Sequence, residues 1–384
     1  MEKIAIGIMS GTSLDGIDVV ITKIEGFKMD TKLNILAFQT VDYDESLLKR
    51  IKKSLSLEES SSKLLCSLNF ELGFAYANAV KKVCKDNNIP LDSIDFIASH
   101  GQTIFHIGEA DSNNLKSSLQ LGEGAVIANE CRTTVVSNFR VADIAAGGQG
   151  APLVPYADYL LFTNNKKNIV LNNIGGISNI TVLKKNGTLD EVVAFDTGVG
   201  NMMIDYACKQ LFNINFDDKG NIARSGDIIN EMLEELLNHE FLKKLPPKST
   251  GREEFGDGYT NNIITKYQKF DKKDIITTLT YFTALSIAFS YKDYIFPFLN
   301  IDEIIISGGG SYNDFLIELL KEQFSNIKVL KLEDIGFNSS SKEALAFVIL
   351  ANETLNFNYS NVKNATGANN SVILGQVNYY FENS

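Results

Sequence analysis

The feature that most restricts the fold of this chain is a pattern that occurs twice: an apolar strand, a glycine-rich polar loop and a second apolar strand. In the first copy, a strand that starts at residue 4 enters the loop 10–17, and residues 19–24 leave it. In the second copy, residues 168–174 enter the loop 175–179, and an apolar run leaves it. Each copy continues through a turn to a third strand and later to helices. The repeat therefore predicts two α/β units with one topology.

The length of the chain agrees with two domains, because 384 residues exceed what one small core needs. A duplicated β-β-β-α-β-α unit with a phosphate loop in each copy resembles the two-domain actin-like ATPase fold of sugar kinases and hexokinases, which has a central cleft. The expected first domain covers residues 1–138 and is completed by the C-terminal segment 372–384. The expected second domain covers residues 139–371.

The first loop has the chemistry of a phosphate-binding turn. Its glycines let the backbone approach a ligand closely. Its hydroxyl and N–H groups offer donors without a positive side chain, which suits a polyphosphate held with a metal. Asp15 and Asp18 supply hard carboxylate oxygens of the kind that Mg²⁺ prefers. The alternative is a hairpin turn without a ligand, since glycine and serine are common in ordinary turns.

Two further polar segments are candidate binding loops. His100 and its neighbours follow a predicted strand at 94–98, and ligands usually bind at the carboxyl ends of strands in an open α/β sheet. Arg140 and Asp143 precede a Gly-Gly-Gln-Gly loop, which we interpret as a ligand-binding loop at or near the domain junction. A structural histidine at position 100 is the alternative for the first segment.

Arginine is the basic residue that best indicates a site, because its planar guanidinium suits bidentate contact with a carboxylate or phosphate. Arg140, Arg224 and Arg252 all lie in or beside polar loops that contain glycine. A structural salt bridge is the alternative for each of them.

A third glycine loop and a carboxylate lie near the end of the chain. A predicted strand at 302–306 leads into Gly308, Gly309 and Gly310 and then into a helix. This arrangement lets a nucleotide approach a helix N-terminus, although it lacks the G-x-G-x-x-G fingerprint of dinucleotide-binding folds. Glu343 opens the last main helix. There, Ser340 and Glu343 fit an S-x-x-E capping box, which would give the carboxylate a structural role.

Composition excludes several classes of partner. The net charge of −11 and the pI near 4.9 argue against nucleic acid or an anionic membrane as the main partner. No stretch approaches the roughly 20 apolar residues that span a bilayer, and the first fifteen residues are not a signal peptide. The four cysteines are far apart, so neither a zinc site nor a disulfide framework is indicated. We expect a cytoplasmic protein, and a homodimer is left open.

Taken together, the motifs resemble the anhydro-N-acetylmuramic acid kinase family of peptidoglycan recycling. The resemblance runs from residue 4 to about 376 and is carried by these segments: GIMSGTSLDGID (7–18), SHGQT (99–103), AGGQGAPL (146–153), NIGGISN (173–179), FDTG (195–198), KSTGR (248–252) and GGG (308–310). Two positions depart from the family pattern. Val199 replaces a proline, and Asn138 replaces an aspartate.

The resemblance implies a double reaction, in which ATP, water and 1,6-anhydro-N-acetylmuramic acid give N-acetylmuramic acid 6-phosphate and ADP. Asp196, in the FDTG segment, would be the general base. The implied ATP and Mg²⁺ contacts are Ser10, Gly11, Thr12, Ser13, Leu14, Asp15, Gly16, Ile17, Gly198, Gly308, Gly309 and Gly310, with Asp15 and Asp18 at the metal. The implied sugar contacts are His100, Gly101, Gln102, Arg140, Asp143, Gln149, Asn179 and Glu343.

Two other functions stay open at this point. A conventional sugar kinase on the same fold would use Asp196 to deprotonate a hydroxyl rather than water. A non-catalytic protein, such as a nucleotide-gated sugar sensor or an actin-like assembly protein, would need ATP contacts but no base. Either kinase must keep water away from the transferred phosphate, so we expect hinge closure of the domains.

Overall fold

The computed structural model describes residues 2–11, 14 and 16–381. The strands are β1 (Lys3–Ser10), β2 (Ile17–Glu25), β3 (Lys32–Val41), β4 (Phe96–Ile107), β5 (Ser117–Leu121), β6 (Val135–Ser137), β7 (Ile169–Ile174), β8 (Ile177–Leu183), β9 (Val193–Val199), β10 (Glu303–Ser307), β11 (Lys328–Lys331) and β12 (Gln376–Asn378).

The α-helices range from single turns to a helix of 25 residues. They are α1 (Glu45–Leu55), α2 (Ser62–Asp86), α3 (Gly124–Cys131), α4 (Arg140–Ala145), α5 (Val154–Phe162), α6 (Met202–Phe212), α7 (Asn230–Leu237), α8 (Glu240–Lys243), α9 (Arg252–Phe255), α10 (Asp257–Tyr267), α11 (Lys272–Tyr294), α12 (Asp314–Gln323), α13 (Lys342–Leu355) and α14 (Lys363–Thr366).

The described chain divides into two compact units, each built on its own mixed sheet. The first unit contains the described residues of 1–161 and 340–384, and the second contains residues 162–339. The strand order is β12-β6-β4-β1-β2-β3 in the first sheet, where β5 also pairs with β4, and β11-β10-β7-β8-β9 in the second.

The inner part of the two sheets has the same topology. In the first unit β1, β2 and β3 are antiparallel neighbours, while β4 is parallel to β1 and β6 is parallel to β4. In the second unit β7, β8 and β9 are antiparallel neighbours, while β10 is parallel to β7 and β11 is parallel to β10. The α/β fold with a duplicated unit that the sequence predicts is therefore confirmed.

The long helix of the first unit illustrates how the sequence specifies its core. Leu68, Leu72 and Tyr76 of α2 recur at fourfold spacing and are fully buried. Ser61 caps the helix, because its side chain accepts a hydrogen bond from the N–H of Leu64 at 3.2 Å. The apolar spacing of residues 60–87 predicts a helix there, and α2 confirms it.

The amphipathic pattern of residues 226–241 predicts one helix with Ser225 as its N-cap, and this prediction is wrong. The chain forms α7 and α8 instead, and Ser225 does not cap either of them, since its hydroxyl donates to the carbonyl of Ile222. The segment before α7 is held against α11, where the N–H of Ile229 donates to Thr278 Oγ1 at 2.9 Å. A Cβ at Gly226 would lie 2.6 Å from Thr277 Oγ1. These contacts keep residues 226–229 out of the helix.

Residues 139–161 and 340–371 lie in the first unit, whereas the sequence analysis assigned them to the second domain. Packing of α13 on β1 accounts for this difference. A Cβ at Gly7 would lie 2.1 Å from the carbonyl oxygen of Ala344, so only glycine permits this approach. Helix α5 is tied to α13 by a buried ion pair between Asp158 and Lys342 at 2.9 Å.

Candidate active site

The apolar run at residues 192–195 predicts a strand that ends just before Asp196, but Asp196 lies within β9. It is opposite Asn179 of β8, and its backbone N–H donates to the carbonyl of Lys248 at 2.9 Å. Its carboxylate is half-buried, and two groups donate to Oδ2: the N–H of Thr250 at 2.8 Å and the hydroxyl of Ser249 at 3.1 Å. Among the described residues nothing hydrogen-bonds to Oδ1, so this oxygen is available to a water molecule.

The electrostatics of Asp196 suit a base that works near neutral pH. Burial raises the pKa of its carboxyl to about 6, against the opposing effect of the hydrogen bonds from Thr250 and Ser249. A carboxylate with this pKa is ionised at pH 7 and is a stronger base than an exposed aspartate.

The glycine loops of the second unit meet at one edge of its sheet. Strands β7, β9 and β10 all end there, because β9 and β10 both run in the direction of β7. Gly308 has φ +83°, and a Cβ there would lie 2.7 Å from both Asn173 Oδ1 and the carbonyl oxygen of Ile174. The N–H of Gly200 donates to the carbonyl of Gly176 at 2.8 Å.

The remaining glycines of these loops are also closely packed. A Cβ at Gly310 would lie 2.4 Å from Ile174 Cγ2, and one at Gly309 would lie 3.4 Å from Asn201 Nδ2. Gly198 has φ +139°. Glycine at 308 and 310 therefore lets the loop pack against β7, while Gly309 is exposed at this edge.

The phosphate-loop segment of the first unit is anchored by buried polar groups at the end of β1. The hydroxyl of Ser10 lies 2.7 Å from that of Tyr76, and Gln102 Nε2 donates to the carbonyl of Gly11 at 3.2 Å. Leu14 has φ +59° and its N–H donates to the carbonyl of Gly11 at 3.4 Å. Gly16 and Ile17 are buried where β2 begins. The predicted contacts Thr12, Ser13 and Asp15 lie outside the described residues.

The sequence predicts a strand that ends at residue 98, but β4 continues through His100, Gly101 and Gln102. Strand β4 continues because it pairs with β5 beyond the end of β1, and Gly101 adopts φ +78° at the irregular point of the ladder. His100 and Gln102 are almost completely buried. Their polar groups bond to protein atoms, which positions the end of β1.

Arg140 and His100 form a buried polar pair. Nδ1 of His100 lies 2.7 Å from the carbonyl of Gly101, and Nε2 accepts from the Arg140 guanidinium at 2.9 and 3.1 Å. Burial, and then the charge of Arg140, hold the pKa of His100 well below its usual value. The imidazole is therefore neutral and carries its proton on Nδ1.

Glu343 acts on the same arginine. Burial lowers the pKa of Arg140 to about 10, and the negative charge of Glu343 opposes this effect. A third guanidinium contact, from Nη1 to the carbonyl of Gly150 at 2.7 Å, fixes the glycine loop. Helix α13 begins at Lys342, and Ser341 at its N-cap makes no side-chain cap, so the capping box suggested for Ser340 and Glu343 stays a prediction.

Asp143 is buried within protein contacts. Its Oδ2 accepts from the N–H of Gly150 at 2.9 Å, while its Oδ1 accepts from Asn361 Nδ2 at 2.9 Å and Thr366 Oγ1 at 2.8 Å. Gln149, by contrast, is only half-buried and donates to Glu109 at 2.6 Å. Asp143 shapes the loop 147–150, and Gln149 is the side chain of that loop that a ligand can reach.

The metal prediction can be assessed at Asp18, which pairs with Met9 across β1 and β2 and accepts a hydrogen bond from Thr40 at 2.6 Å. Within residues 2–11, 14 and 16–381 no cluster of three or more metal-binding side chains occurs. Mg²⁺ in phosphoryl-transfer sites usually takes one or two carboxylates together with waters and phosphate oxygens. A single carboxylate beside a phosphate loop fits that mode of binding.

Sequence reasoning missed the groups that contact Asp196. The segment 248–252 was recognised as a motif, but no role was given to Lys248, Ser249 or Thr250. The signal that could have indicated a role for these residues is a polar loop directly after Pro246 and Pro247. Nothing in the local sequence indicates that this loop contacts Asp196. Arg224 has the structural role that was the alternative, because it forms a bidentate pair with Glu318 at 2.5 and 2.8 Å.

Two departures from the family pattern are accommodated locally. Val199 is fully buried as the last residue of β9. Asn138 has φ +55°, a conformation that asparagine tolerates well, and its Nδ2 donates to Gln376 at 3.2 Å.

The chain is similar along nearly its whole length to one family of known proteins. The family model of anhydro-N-acetylmuramic acid kinase matches residues 3–380. Proteins named anhydro-N-acetylmuramic acid kinase are 54% identical in Francisella tularensis subsp. novicida, over 98% of this chain and 99% of the relative, and 51% identical in Bacillus cereus strain Q1, over 97% and 98%. A solved activator of 2-hydroxyisocaproyl-CoA dehydratase from Clostridium difficile with bound ADPNP is 10% identical, with TM-score 0.46 over 91% of this chain and 94% of that one.

The duplicated sheet, with glycine loops at the ends of its strands and a tuned carboxylate on β9, defines an actin-like α/β protein of the sugar-kinase class. No helix in the described part of the chain is both long and apolar enough to cross a membrane. Within that class, the chain belongs to the anhydro-N-acetylmuramic acid kinase family.

Proposed function

We propose that the protein phosphorylates 1,6-anhydro-N-acetylmuramic acid at O6 with ATP and opens the anhydro ring with water in the same reaction. The products are N-acetylmuramic acid 6-phosphate and ADP, as peptidoglycan recycling requires. The observation that carries the proposal is the half-buried carboxylate of Asp196, which is held through Oδ2 and leaves Oδ1 for a water molecule.

The proposed step needs only one carboxylate. Water, deprotonated by Asp196 Oδ1, attacks C1 of the sugar while the C1–O6 bond breaks with its electron pair going to O6. O6 then forms a bond to the γ-phosphorus as the bond from that phosphorus to the β-γ bridging oxygen breaks, and ADP leaves. Ordinary glycoside cleavage uses a second carboxylate to protonate the leaving oxygen. Here the phosphoryl group takes that role, and the rest of catalysis is positioning and charge stabilisation.

The nucleotide is assigned to the glycine loops. Ser10, Gly11, Leu14, Gly16 and Ile17 would contact the β- and γ-phosphates, together with Thr12, Ser13 and Asp15 of the same motif. Gly198, Gly308, Gly309 and Gly310 would line the nucleoside side. The support is the backbone at these positions, which is free of side chains or held by buried polar groups.

In the first unit the sugar is assigned to the polar groups around Arg140, and in the second unit to those around Asp196. Arg140, Gln149, Asn179 and Glu343 would contact it directly. His100, Gly101, Gln102 and Asp143 would act by holding those groups and the phosphate loop in place, because their polar atoms already bond to protein.

Mg²⁺ would be held by Asp18 and, from the same motif, Asp15, with water and phosphate oxygens completing its shell. When bound, the ion would neutralise charge on the phosphates. We place the reaction in the cytoplasm, where ATP is available. The free thiols Cys66, Cys84, Cys131 and Cys208 suit a reducing compartment. A homodimer stays a prediction, which sedimentation analysis tests.

The experiment is ATP-dependent turnover of purified 1,6-anhydro-N-acetylmuramic acid, with N-acetylmuramic acid as the comparison substrate. We expect one ADP per sugar consumed and a product that co-elutes with N-acetylmuramic acid 6-phosphate. Turnover of the anhydro sugar should be much more efficient than turnover of N-acetylmuramic acid. Preference for the reducing sugar would identify a conventional sugar kinase. Nucleotide binding without ADP release would identify a sensor.

A further inference from the structure

Lys248 is buried beside Asp196 in an unusual environment for a lysine. Its ammonium lies 4.8 Å from the ring centroid of Phe241 and 5.0 Å from that of Tyr294, so two aromatic faces surround it. Its hydrogen bonds to the carbonyls of Phe241 and Leu242 are long, at 3.4 Å each. Among the described residues it forms no ion pair.

A buried cation without an ion pair is costly, and lysine is seldom fully buried unless it is paired. Burial lowers the pKa of Lys248 to about 8, against the opposing charges of Asp293 and Asp196. The side chain is therefore still largely protonated at pH 7. Cation–π contacts of this kind recover about 2 kcal/mol or more when the cation is desolvated. The contacts hold the lysine in place, but they leave its positive charge unneutralised near the carboxylate.

The backbone of Lys248 is linked to the same aspartate. Its carbonyl accepts from the N–H of Asp196, and the next two residues donate to Asp196 Oδ2 through the Ser249 hydroxyl and the Thr250 N–H. The three consecutive residues therefore form a clamp, which we define as residues 248–250. The clamp determines which oxygen of the carboxylate is occupied by protein.

We propose that Lys248 is a positioning residue for the hydrolytic half of the reaction. Its side chain, fixed between Phe241 and Tyr294, anchors the clamp and places a positive charge beside Asp196, so that Oδ2 is held and Oδ1 faces water as a carboxylate. This inference rests on the proposed function, in which Asp196 is the base. It adds the residue that keeps this base ionised and oriented.

The charges that face this pair come from several elements. Glu253 of α9 raises the pKa of Asp196, and Lys248 lowers it. Asp293 of α11 raises the pKa of Lys248, whereas Lys244 lowers it. Glu253 opposes ionisation of Asp196, so Lys248 is the cation that offsets it.

The experiment compares pH profiles of kcat/KM for the anhydro sugar in four variants. Lys248→Met removes the charge and keeps an unbranched apolar chain, while Lys248→Arg keeps a cation. Ser249→Ala removes one donor to Oδ2 and leaves the lysine. Lys243→Met is the matched control, because Lys243 is an exposed lysine of the same segment that pairs with Glu240 on the surface.

We expect the acid limb of the Lys248→Met profile to move to higher pH by up to about one unit, which would lower kcat/KM by up to about fivefold at pH 6. Ser249→Ala should move it in the same direction by at least as much, because the hydrogen bond from Ser249 lowers the pKa of Asp196 more than the charge of Lys248 does. Lys248→Arg should lie close to the parent, as should Lys243→Met. If Lys248 served folding alone, Lys248→Met would lower the amount of active enzyme but would leave the acid limb of the kcat/KM profile at the same pH.

An unchanged limb in Lys248→Met would overturn the inference, whatever Ser249→Ala shows. If Lys248→Met does not fold, Ser249→Ala together with Lys248→Arg decides the matter by the same criterion. Failure of the proposed function would look different, because the parent itself would then lack anhydro-sugar turnover or Asp196→Asn would retain it.

Discussion

The backbone N–H of Thr250 donates to Oδ2 of Asp196 at 2.8 Å, so that a loop residue 54 positions later fixes the orientation of the carboxylate. This bond and that of Ser249 favour the ionised form, and burial favours the neutral form. Burial prevails, and the pKa of about 6 that results lies in the range useful for a general base.

The first prediction concerns the pH dependence of the parent enzyme. Asp196 must be deprotonated to accept a proton from water, and its pKa is raised to about 6. We expect kcat/KM for the anhydro sugar to be level above this value and to fall about tenfold per pH unit below it. Steady-state ADP release between pH 5 and 8 measures the limb. A level profile down to pH 5 would contradict the assignment.

The second prediction concerns stability. The pKa of Asp196 is about 6 in the folded protein and 3.8 in the reference state, so the folded form binds more protons between these values. Stability from this group is present below pH 3.8 and is lost as pH rises through 6. We expect Asp196→Asn to be more stable than the parent by roughly 1–3 kcal/mol at pH 8.

Urea unfolding at pH 8 and pH 4 tests this expectation. The gain from the substitution should shrink at the lower pH, where the aspartate itself becomes neutral. If the variant is less stable than the parent at pH 8, the ionised carboxylate of Asp196 does not destabilise the folded protein, and the prediction is wrong.

The third prediction separates close packing from backbone strain at Gly308. Gly308→Ala places a Cβ 2.7 Å from Asn173 Oδ1 and from the Ile174 carbonyl oxygen at φ +83°. Gly336→Ala is the matched control, since it has φ +84° and open space around the Cβ. We expect losses of roughly 2–4 and 1–2 kcal/mol in the free energy of unfolding, respectively.

The two variants should also differ in kinetics. Only Gly308→Ala should raise the KM for ATP, because it displaces the loop assigned to the nucleoside. Equal KM values for ATP in the two variants would remove Gly308 from the nucleotide site.

The fourth prediction concerns Asp143. Its two oxygens accept from the Gly150 N–H and from Asn361 and Thr366, so Asp143→Asn places an amide donor against other donors. We expect a loss of roughly 2–3 kcal/mol in stability. Asp86→Asn is the control, because Asp86 lies on the surface in an exposed pair with Lys82, and it should change stability by less than about 0.5 kcal/mol. A raised sugar KM at unchanged stability would instead place Asp143 in contact with the substrate.

Local patterns in the sequence were sufficient to predict the repeated β-β-β-α unit. Apolar runs separated by glycine loops predict the strands around residues 10 and 175, and fourfold leucine spacing predicts α2. Contacts distant in sequence decide what was missed. Strand β9 continues through Asp196, and residues 226–229 are extended because they bind to α11.

In the candidate site, too, local motifs could be predicted from the sequence, whereas contacts between distant residues could not. The segment 248–252 is visible as a motif, but its contact with Asp196 is formed only in three dimensions. Asp143 has the chemistry of a ligand contact, yet residues 361 and 366 saturate it. The assignment of α13 to the first unit depends on the absence of a side chain at Gly7, which no periodicity reveals.

The most direct test of the central claim is turnover by Asp196→Asn beside the parent, followed as ADP release and as formation of the 6-phosphate. Asparagine keeps the shape and can still accept from Thr250, but it cannot take a proton from water. We expect turnover to fall by about 10²–10⁴-fold while ATP and sugar bind with nearly unchanged affinity. Turnover within about tenfold of the parent would contradict the claim that this carboxylate activates the water.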